Sequence, residues 1–319
     1  MKDRFQREID YMRISVTENC NLWCHYCRPK SGSCTGSEIL SYAEILRLCR
    51  IFIRLGIHKY KITGGEPLVR PGILEFLEQI KNLPGISQVT LTTNGTLLGD
   101  SARQLAQTGI DGVNVSVDSL DSETYANITG KDCLNDVLNG IRAAKEEGLL
   151  VKINKVILPD EEMEDIWPFF EFMRKSGIPV RMIEKMPLGS SQYVEPKLTG
   201  DRILRELEQK GWHMKPVSQS LGNGPASYYK AAGIRGYLGL IEAVHHNFCK
   251  DCNRVRLLSD GSLKTCLYEP PRLNMKNLLL EGLSQDELLE KARTEIFCKP
   301  PSHHFLEKPS SEEMYRIGG

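Results

Sequence analysis

The sequence has no excess of either charge and no long apolar run. Its 41 Lys and Arg residues are balanced by 41 Asp and Glu residues in a chain of 319. Without a net charge there is no overall field that favours nucleic acid or an anionic membrane, so any anion site has to be local. No run of about 18 apolar residues occurs, and the charged start "MKDRFQREIDY" lacks the apolar core of a signal peptide. We therefore expect a cytoplasmic protein with no nucleic-acid partner and no membrane partner.

Cysteine, by contrast, is abundant and clustered. The chain has ten cysteines, and in a reducing compartment disulfides explain them poorly. Six of them form two groups, the N-terminal triad (Cys20, Cys24, Cys27) and the C-terminal triad (Cys249, Cys252, Cys266). The remaining four are scattered at Cys34, Cys49, Cys133 and Cys298. This spacing indicates metal or redox chemistry at the two triads.

Each triad is one ligand short of a closed metal site. Structural zinc sites and most iron–sulfur clusters take four protein ligands. Zinc could be completed by Cys34, His245 or His246, but only through a favourable fold. An iron–sulfur cluster held by three thiolates would instead leave one iron open to a small molecule, as catalytic zinc keeps a position for substrate. The cysteine spacing alone leaves both interpretations open.

Short β-branched runs alternate with helical patterns from residue 13 to about residue 186. The predicted strands span residues 13–16, 59–63, 88–93, 112–117, 151–157 and 180–186. The helical spacing is clearest over residues 42–56, behind a capping box of Ser41 and Glu44, and over residues 134–148. Six such units predict an α/β fold with parallel strands, either an open doubly wound sheet or an incomplete barrel. After residue 215 the alternation stops, so we predict domains at residues 1–215 and 216–319.

The unusual residues follow the predicted strands at their carboxyl ends, where parallel α/β folds gather their chemistry. "CNLWCHYC" follows the first strand and "GGEP" the second, while "NG" and "DS" follow the third and fourth. The CxxxCxxC loop, with aromatic Tyr26 before its last cysteine, resembles the radical S-adenosylmethionine superfamily. "ITGGEP" resembles the Gly-Gly-Glu-Pro element of that superfamily, in which the glycines allow close backbone approach and Glu66 can accept from an ammonium group.

Over nearly the whole chain the sequence is similar to the GTP 3′,8-cyclase family of molybdenum cofactor biosynthesis. The matching segments, in order, are "RISVT", "CNLWCHYC", "KITGGEPL", "LTTNG", "NVSVDS", "KIN", "IEKMP", "GPASYY", "FCKDCNRVRLLSDGSLKTCL" and the terminal "IGG". The spacing of the C-terminal triad, with Arg254 and Arg256 inside it, is more specific than the N-terminal loop. The resemblance implies an incomplete (β/α)6 TIM-like barrel with a C-terminal domain that holds an auxiliary iron–sulfur cluster.

The resemblance also implies the site residues. Each triad would hold a [4Fe–4S] cluster, and contacts to S-adenosylmethionine would come from Tyr26, Gly65, Glu66, Ser116 and Met186. Contacts to GTP would come from Arg13, Lys59, Lys61, Thr92, Lys152, Arg181, Arg254 and Arg256. The terminal Gly318 and Gly319 would form the double-glycine tail that reaches the active site in this family. Two positions depart from the family: Lys61 replaces the usual arginine and loses its bidentate fork, and Arg28 stands where methionine is common.

The implied activity is conversion of GTP to (8S)-3′,8-cyclo-7,8-dihydroguanosine 5′-triphosphate. An electron on the N-terminal cluster would cleave S-adenosylmethionine, and the 5′-deoxyadenosyl radical would take hydrogen from C3′ of GTP, whose carbon then bonds C8 of guanine. The C-terminal cluster would hold the guanine base. The implied partners are an electron donor protein, a downstream cyclic pyranopterin monophosphate synthase and a second copy of the chain. The alternatives are a radical enzyme that acts on a peptide or another nucleotide, and a non-enzymatic zinc-binding module.

Overall fold

The computed structural model describes residues 1–27, 38–189, 193–218, 221–307, 310 and 312–318. The strands are β1 (Tyr11–Ser15), β2 (Lys59–Thr63), β3 (Gln88–Thr93), β4 (Gly112–Ser116), β5 (Val151–Ile157), β6 (Val180–Glu184), β7 (Lys215–Val217), β8 (Ser227–Lys230), β9 (Leu238–Ile241), β10 (Arg254–Leu257), β11 (Ser262–Lys264) and β12 (Leu273–Asn274). The helices are α1 (Tyr42–Arg54), α2 (Ile73–Lys81), α3 (Leu98–Gln107), α4 (Ser122–Thr129), α5 (Leu134–Glu146), α6 (Met163–Ser176), α7 (Gly200–Gln209), α8 (Met275–Leu280), α9 (Gln285–Phe297) and α10 (Met314–Ile317). Short 3₁₀ turns lie at Pro67–Val69 and Cys249–Asp251.

All of these strands belong to one sheet. Its order is β12-β11-β10-β1-β2-β3-β4-β5-β6-β9-β8-β7. The eight strands from β10 to β9 are parallel, and antiparallel strands extend both edges. Strands β1 to β6 are consecutive because each crossover returns the chain to the adjacent position. Among the described residues this order has two ends, which confirms the predicted incomplete (β/α)6 barrel and adds two parallel strands to it.

The strand register aligns side chains in rows across the sheet. Arg13 of β1 lies opposite Arg256 of β10 on one side and Lys61 of β2 on the other. Because alternate residues of a strand face opposite sides, the neighbouring Ile14 and Ile62 point the other way. Both isoleucines are completely buried in the main apolar core. The sheet therefore has an apolar face toward the helices and a cationic row on the other face.

Helix α1 begins as the sequence predicts. The N–H of Glu44 donates to Oγ of Ser41 at 3.2 Å, and the N–H of Ser41 donates to the carboxylate of Glu44 at 2.7 Å. This reciprocal capping box satisfies amide groups that the first helical turn would otherwise leave unpaired. Phe52, on the inner side of the helix, is completely buried against the sheet. Local capping and apolar spacing thus place the first crossover helix.

Three of the six predicted strands have the predicted bounds, namely residues 59–63, 88–93 and 151–157. Strand β1 begins earlier than predicted, at Tyr11, because Tyr11 pairs with both neighbouring strands. Strand β6 ends at Glu184 instead of residue 186. The carboxylate of Glu184 accepts from the N–H of Val244 at 2.8 Å and from that of His245 at 3.2 Å. Glu184 therefore binds the loop after β9 at the point where β6 ends.

The residues after 215 extend the same sheet. Strand β9 pairs in parallel with β6, and β10 pairs in parallel with β1. The division into residues 1–215 and 216–319 therefore crosses a continuous sheet, and it stays a prediction. No helix formed by the described residues has the length and apolar character that crossing a membrane requires.

Candidate active site

A cavity of about 290 Å³ lies among the strand ends, and its walls contain both cysteine triads. Most of the predicted site residues line it: Arg13, Cys20, Cys24, Tyr26, Cys27, Lys61, Gly65, Thr92, Ser116, Arg181, Met186, Cys249, Cys252, Arg254, Arg256 and Cys266. Residues as far apart in sequence as Arg13 and Cys266 meet here because β10 adds to the edge of β1. The fold thus brings together the two motifs that the sequence keeps about 220 residues apart.

The N-terminal triad lies in a loop that its neighbours hold through hydrogen bonds. The N–H of Leu22 donates to Sγ of Cys20 at 3.5 Å, and Nδ2 of Asn94 donates to the same sulfur at 3.8 Å. Burial raises the pKa of Cys24, and the negative charges of Asp118 and of the other two cysteines raise it further. A metal cluster would supply the positive charge that such crowded thiolates need. The donor set, three thiols with N–H groups on one sulfur, therefore fits an iron–sulfur cluster.

The two glycines after β2 fit against this loop. A Cβ on Gly65 would lie 2.3 Å from the carbonyl oxygen of Asn19, so no side chain can be accommodated there. The N–H of Gly65 donates to the carbonyl of Thr17 at 2.8 Å, and that of Glu66 donates to Asn19 at 2.8 Å. The glycine pair therefore serves the close approach of two backbones that the motif predicts.

Glu66 is completely buried and turns its carboxylate into the protein. It accepts from Oγ1 of Thr93 at 2.8 Å and from the backbone N–H groups of Asn94 at 2.6 Å and Leu68 at 3.0 Å. Burial raises the pKa of Glu66 to about 7 in spite of these hydrogen bonds. Among the described residues Glu66 is not part of the cavity wall. Its hydrogen bonds hold the end of β3 in place. Asn94, which follows β3, donates in turn to Sγ of Cys20.

Tyr26 lines the cavity with a fixed orientation. Its hydroxyl donates to Oδ2 of Asp118 at 2.6 Å, and Oδ1 of Asp118 accepts from the N–H of Val156 at 3.0 Å. Burial, followed by the charges of Asp118 and the nearby thiols, raises the pKa of Tyr26, so the phenol stays protonated and donates. Ser116 and Met186 line the same cavity after β4 and β6.

The cationic row places several like charges close together in the cavity wall. Burial lowers the pKa of Lys61 well below its ordinary value, and the charges of Arg181, Arg13, Lys152 and Arg254 lower it further. Burial likewise lowers the pKa of Arg256 well below its ordinary value, with further lowering by Arg13 and Arg254. Arginine does not lose its proton in proteins, so these like charges stay together at neutral pH. A bound polyanion would relieve their repulsion.

Several buried polar atoms beside this row have no hydrogen-bond partner among the described residues. They are Oγ1 of Thr92, Oδ1 of Asn154 and Nε of Arg181. Buried polar groups are nearly always hydrogen-bonded in native proteins. Because all three residues line the cavity, these atoms are available to a ligand.

Two predicted cations lie outside the cavity wall. Nζ of Lys59 donates to Oδ2 of Asp10 at 2.6 Å and forms an ion pair with it. Lys152 is likewise not among the lining residues, and burial, followed by the charge of Arg181, lowers its pKa to about 8. Of these three lysines, Lys61 therefore lines the cavity. Lys59 is paired with Asp10, and Lys152 lies close enough to Arg181 for the two charges to interact.

The C-terminal triad occupies another part of the cavity wall. Burial alone would raise the pKa of Cys252, but the charges of Lys299 and Arg254 and hydrogen bonds from Arg254 lower it to about 6. A thiol with such a pKa is a thiolate at neutral pH, which is the form that binds metal. This triad therefore also fits an iron–sulfur cluster. None of the cysteines that the structure describes forms a disulfide.

In the described ranges, no three His, Cys, Asp or Glu side chains converge closely enough to hold a single metal ion. His245, considered as a further zinc ligand, instead contacts the carboxylates of Glu184 and Glu195. His246 lies 3.7 Å from Asp201 and 3.9 Å from Glu242. Cys34 and Arg28 lie outside the described residues.

The C-terminal tail reaches the cationic row. Nη1 of Arg256 donates to the carbonyl of Gly318 at 3.0 Å. Gly318 has a φ of 71°, and a Cβ there would lie 2.8 Å from Cγ2 of Thr63. Tyr315, in α10, lines the cavity itself. Gly318 therefore lies beside the cationic row, whereas Gly319 lies outside the described residues, and the role of the tail stays a prediction.

The structure adds residues that sequence reasoning did not select: Asn94, Asp118, His303 and Lys299. Asn94 and Asp118 belong to the "NG" and "DS" segments at strand ends, so their position is a signal that could have identified them. Nε2 of His303 lies 2.6 Å from the carbonyl of Ala243, whereas its buried Nδ1 has no partner in the described part of the chain. His303 and Lys299 carry no comparable local signal, because their contacts are with distant segments.

Two family models match the chain. Residues 14–173 match the Radical SAM superfamily, and residues 178–305 match Molybdenum Cofactor Synthesis C. The chain is 40% identical over 324 residues to "GTP 3',8-cyclase" of Thermodesulfovibrio yellowstonii and 37% identical over 324 residues to "GTP 3',8-cyclase" of Clostridium perfringens. Each alignment covers 100% of this chain and 100% of the relative.

Solved structures show the same fold. Streptococcus suis SuiB bound to precursor peptide SuiA is similar with a TM-score of 0.63 and 15% identity, over 96% of this chain and 75% of that chain. Native anSMEcpe with bound AdoMet and Cp18Cys peptide is similar with a TM-score of 0.55 and 17% identity, over 97% of this chain and 87% of that chain. At these identities the similarity concerns the fold alone.

Proposed function

The chain belongs to the GTP 3′,8-cyclase family of the radical S-adenosylmethionine superfamily, and we propose that it performs this reaction in the cavity between its two triads. The reaction converts GTP to (8S)-3′,8-cyclo-7,8-dihydroguanosine 5′-triphosphate, the first step of molybdenum cofactor biosynthesis. One observation carries the proposal. Two thiol triads and a row of cations share a single cavity, as a polyanionic nucleotide held between two clusters would require.

The residues of the N-terminal triad would hold a [4Fe–4S] cluster, with Tyr26, Gly65, Ser116 and Met186 around S-adenosylmethionine. When bound, this cluster and S-adenosylmethionine would supply the radical chemistry at C3′ of GTP, and Cys249, Cys252 and Cys266 would hold a second [4Fe–4S] cluster beside the guanine base. Tyr26 is held by Asp118, and Gly65 keeps the backbone clear of any side chain. Glu66 acts from behind this wall, through Thr93 and Asn94. The protein thus positions its cofactors and excludes water.

The cationic row would bind the triphosphate. Arg13, Lys61 and Arg256 stand on adjacent strands in register, and charge-assisted contacts to phosphate are the strong class of hydrogen bond. The unpaired atoms of Thr92 and Arg181 offer further contacts on the same wall. Lys59 and Lys152 would contribute through their positive field, since neither lines the cavity. The Gly318–Gly319 tail would close the site beside Arg256.

We further propose the finer features of the assignment. Residues 1–215 would provide the S-adenosylmethionine site, and residues 216–319 the auxiliary cluster and much of the GTP site. The partners would be an electron donor protein, a downstream cyclic pyranopterin monophosphate synthase and a second copy of the chain in a homodimer. A cytoplasmic location would keep the six triad thiols reduced.

The deciding experiment follows hydrogen from the substrate. Anaerobic incubation with S-adenosylmethionine, a reductant and GTP deuterated at C3′ should give deuterated 5′-deoxyadenosine, which mass spectrometry detects. Turnover with a peptide or another nucleotide, but not with GTP, would refute the assignment. Metal analysis separates the zinc alternative, because two four-iron clusters require about eight iron atoms per chain. Arg256→Ala should weaken GTP binding and leave that iron content unchanged.

A further inference from the structure

The C-terminal triad lies on two backbone segments, a turn with Cys249 and Cys252 and the chain after β11 with Cys266, and two buried cations together contact both. Cys249 begins a 3₁₀ turn, Cys252 precedes β10, and Cys266 follows β11. Lys299, just after α9, is only 2% exposed and lines the cavity. Arg7, near the start of the chain, is 7% exposed. Neither cation belongs to the cationic row that faces the nucleotide site.

Lys299 joins the segments that carry two of the cysteines. Its Nζ donates to the carbonyl of Arg254 at 2.9 Å and also to the carbonyl of Thr265. Arg254 lies two residues after Cys252, and Thr265 immediately precedes Cys266. One ammonium group therefore bridges the two segments where the paired residues of β10 and β11 end. These carbonyls use two of its three N–H donors.

Arg7 links Cys249 to the residue that follows Lys299. Its Nη1 donates to the carbonyl of Cys249 at 2.8 Å, and its Nη2 donates to the carbonyl of Pro300 at 2.6 Å. Asp3, which is 1% exposed, orients the guanidinium by accepting from Nε at 2.6 Å. Because Pro300 directly follows Lys299, both cations are anchored on one short stretch of chain.

The charge of Lys299 is balanced by the triad. Its two carbonyl acceptors are neutral, and a buried ammonium is costly unless an opposite charge compensates it. Both carbonyls lie within two residues of a triad cysteine, and Lys299 lines the cavity together with Cys252 and Cys266. A cluster bound to these cysteines would therefore supply its compensating negative charge.

We propose that Lys299 is a positioning residue of the C-terminal cluster, which sets the spacing of Cys252 and Cys266 and offsets the cluster's negative charge, while Arg7 fixes Cys249. This inference rests on the proposed function, because it assigns residues to the cluster that the function requires. Lys299 acts through the ligands and their charge, and it takes no part in binding the triphosphate.

The test compares Lys299→Met, Lys299→Arg and the matched control Lys276→Met in the full chain, purified and reconstituted anaerobically. Lys276 is also a buried lysine that donates to a carbonyl, that of Glu38 at 2.8 Å, but it lies away from the cavity. Each change is also made in a chain whose N-terminal triad is replaced by alanine, so that all bound iron belongs to the C-terminal triad. The measurements are iron release to a chelator and the reduction potential of that cluster.

Lys299→Met should release iron roughly tenfold faster or more, the usual effect of removing an outer partner of metal ligands. It should also lower the reduction potential, because a nearby positive charge favours the more negative, reduced cluster. Lys299→Arg should restore most of the potential, and Lys276→Met should match the unsubstituted chain. Unchanged release and potential in Lys299→Met would overturn the inference. So would a loss that Lys276→Met reproduces.

The variant Arg7→Lys tests the same inference by a second route. If Lys299→Met does not fold, Arg7→Lys, which keeps the charge but cannot contact Cys249 and Pro300 together, should accelerate release from the C-terminal cluster alone. Unchanged release in that variant would equally overturn the inference. Failure of the proposed function looks different: the unsubstituted chain would then hold no iron or leave GTP unconverted.

Discussion

Replacing Lys61 by methionine should weaken GTP binding and, at the same time, stabilise the protein in the absence of nucleotide. Lys61 lines the cavity in register with Arg13. Neighbouring strands are about 5 Å apart, and two like charges at that distance repel by roughly 3 kcal/mol at an effective dielectric constant of 20. Methionine removes this repulsion and keeps the length of the side chain.

Lys61 is only half-buried, so solvent screens part of this repulsion and limits the gain. We therefore expect a net gain of about 1 kcal/mol without nucleotide, seen as a rise in Tm of roughly 2 °C. With GTP the sign reverses. A lost hydrogen bond to a charged group costs about 1.5–3 kcal/mol, which corresponds to roughly 10- to 150-fold weaker binding.

The assay combines anaerobic calorimetric titration with GTP and thermal unfolding of the cluster-loaded protein with and without GTP. Two further substitutions in β2 serve as controls. Lys61→Arg should bind GTP at least as well as the natural chain and show no gain in Tm. Lys59→Met should weaken binding less, because Lys59 is already paired with Asp10. A Lys61→Met protein with a lower Tm and unchanged affinity would refute the picture of an uncompensated cation that faces phosphate.

Three other changes test separate parts of the site. Asn94→Ala removes the N–H group that contacts Sγ of Cys20, so it should lower the reduction potential of the N-terminal cluster. An unchanged reduction potential would contradict a role for Asn94 in tuning that cluster. The pKa of Lys152 is lowered to about 8, and an anion favours its charged form, so GTP affinity should fall as the pH rises through about 8. Lys152→Arg keeps its charge over this range and should flatten the dependence of affinity on pH. An equally steep dependence in the variant would assign the titration to another group. Gly318→Ala introduces both backbone strain of roughly 1–2 kcal/mol and a clash with Thr63, so it should lower kcat with iron content unchanged. Gly211→Ala, at φ 81° with no atom within 4 Å of the added Cβ, carries the strain alone and should leave kcat unaffected.

The central strands and the two triads could be predicted because their signals are local. A β-branched run bounded by turn residues marks β2, β3 and β5 without reference to the rest of the chain, and each has the predicted bounds. The spacing of Cys20, Cys24 and Cys27 is likewise contained in one loop. Side-chain periodicity and cysteine spacing report on neighbours in sequence, so they locate elements and motifs well.

The edge strands and the supporting residues could not be predicted in this way. Strand β10 joins β1 across about 240 residues, and nothing in "RVRL" itself indicates that partner. The contacts of Lys299 with Arg254 and Thr265, and of Asp118 with Tyr26, connect segments 34 to 92 residues apart. The motif that contains Glu66 can be recognised from neighbouring residues alone. The direction of its carboxylate cannot, because Thr93 and Asn94, which it contacts, lie on another strand end.

The position of β1 in the sheet also affects how the chain is made. Its partner on one side, β2, is complete at residue 63, but its partner on the other side, β10, ends at Leu257. At a synthesis rate of about 5–20 residues per second, that edge of β1 waits roughly 10–50 s on the ribosome for its second neighbour. An open parallel edge held for that long invites pairing with other chains. Because the loop with Cys20 follows directly from β1, the N-terminal triad is synthesised well before the strand that completes this edge of the barrel.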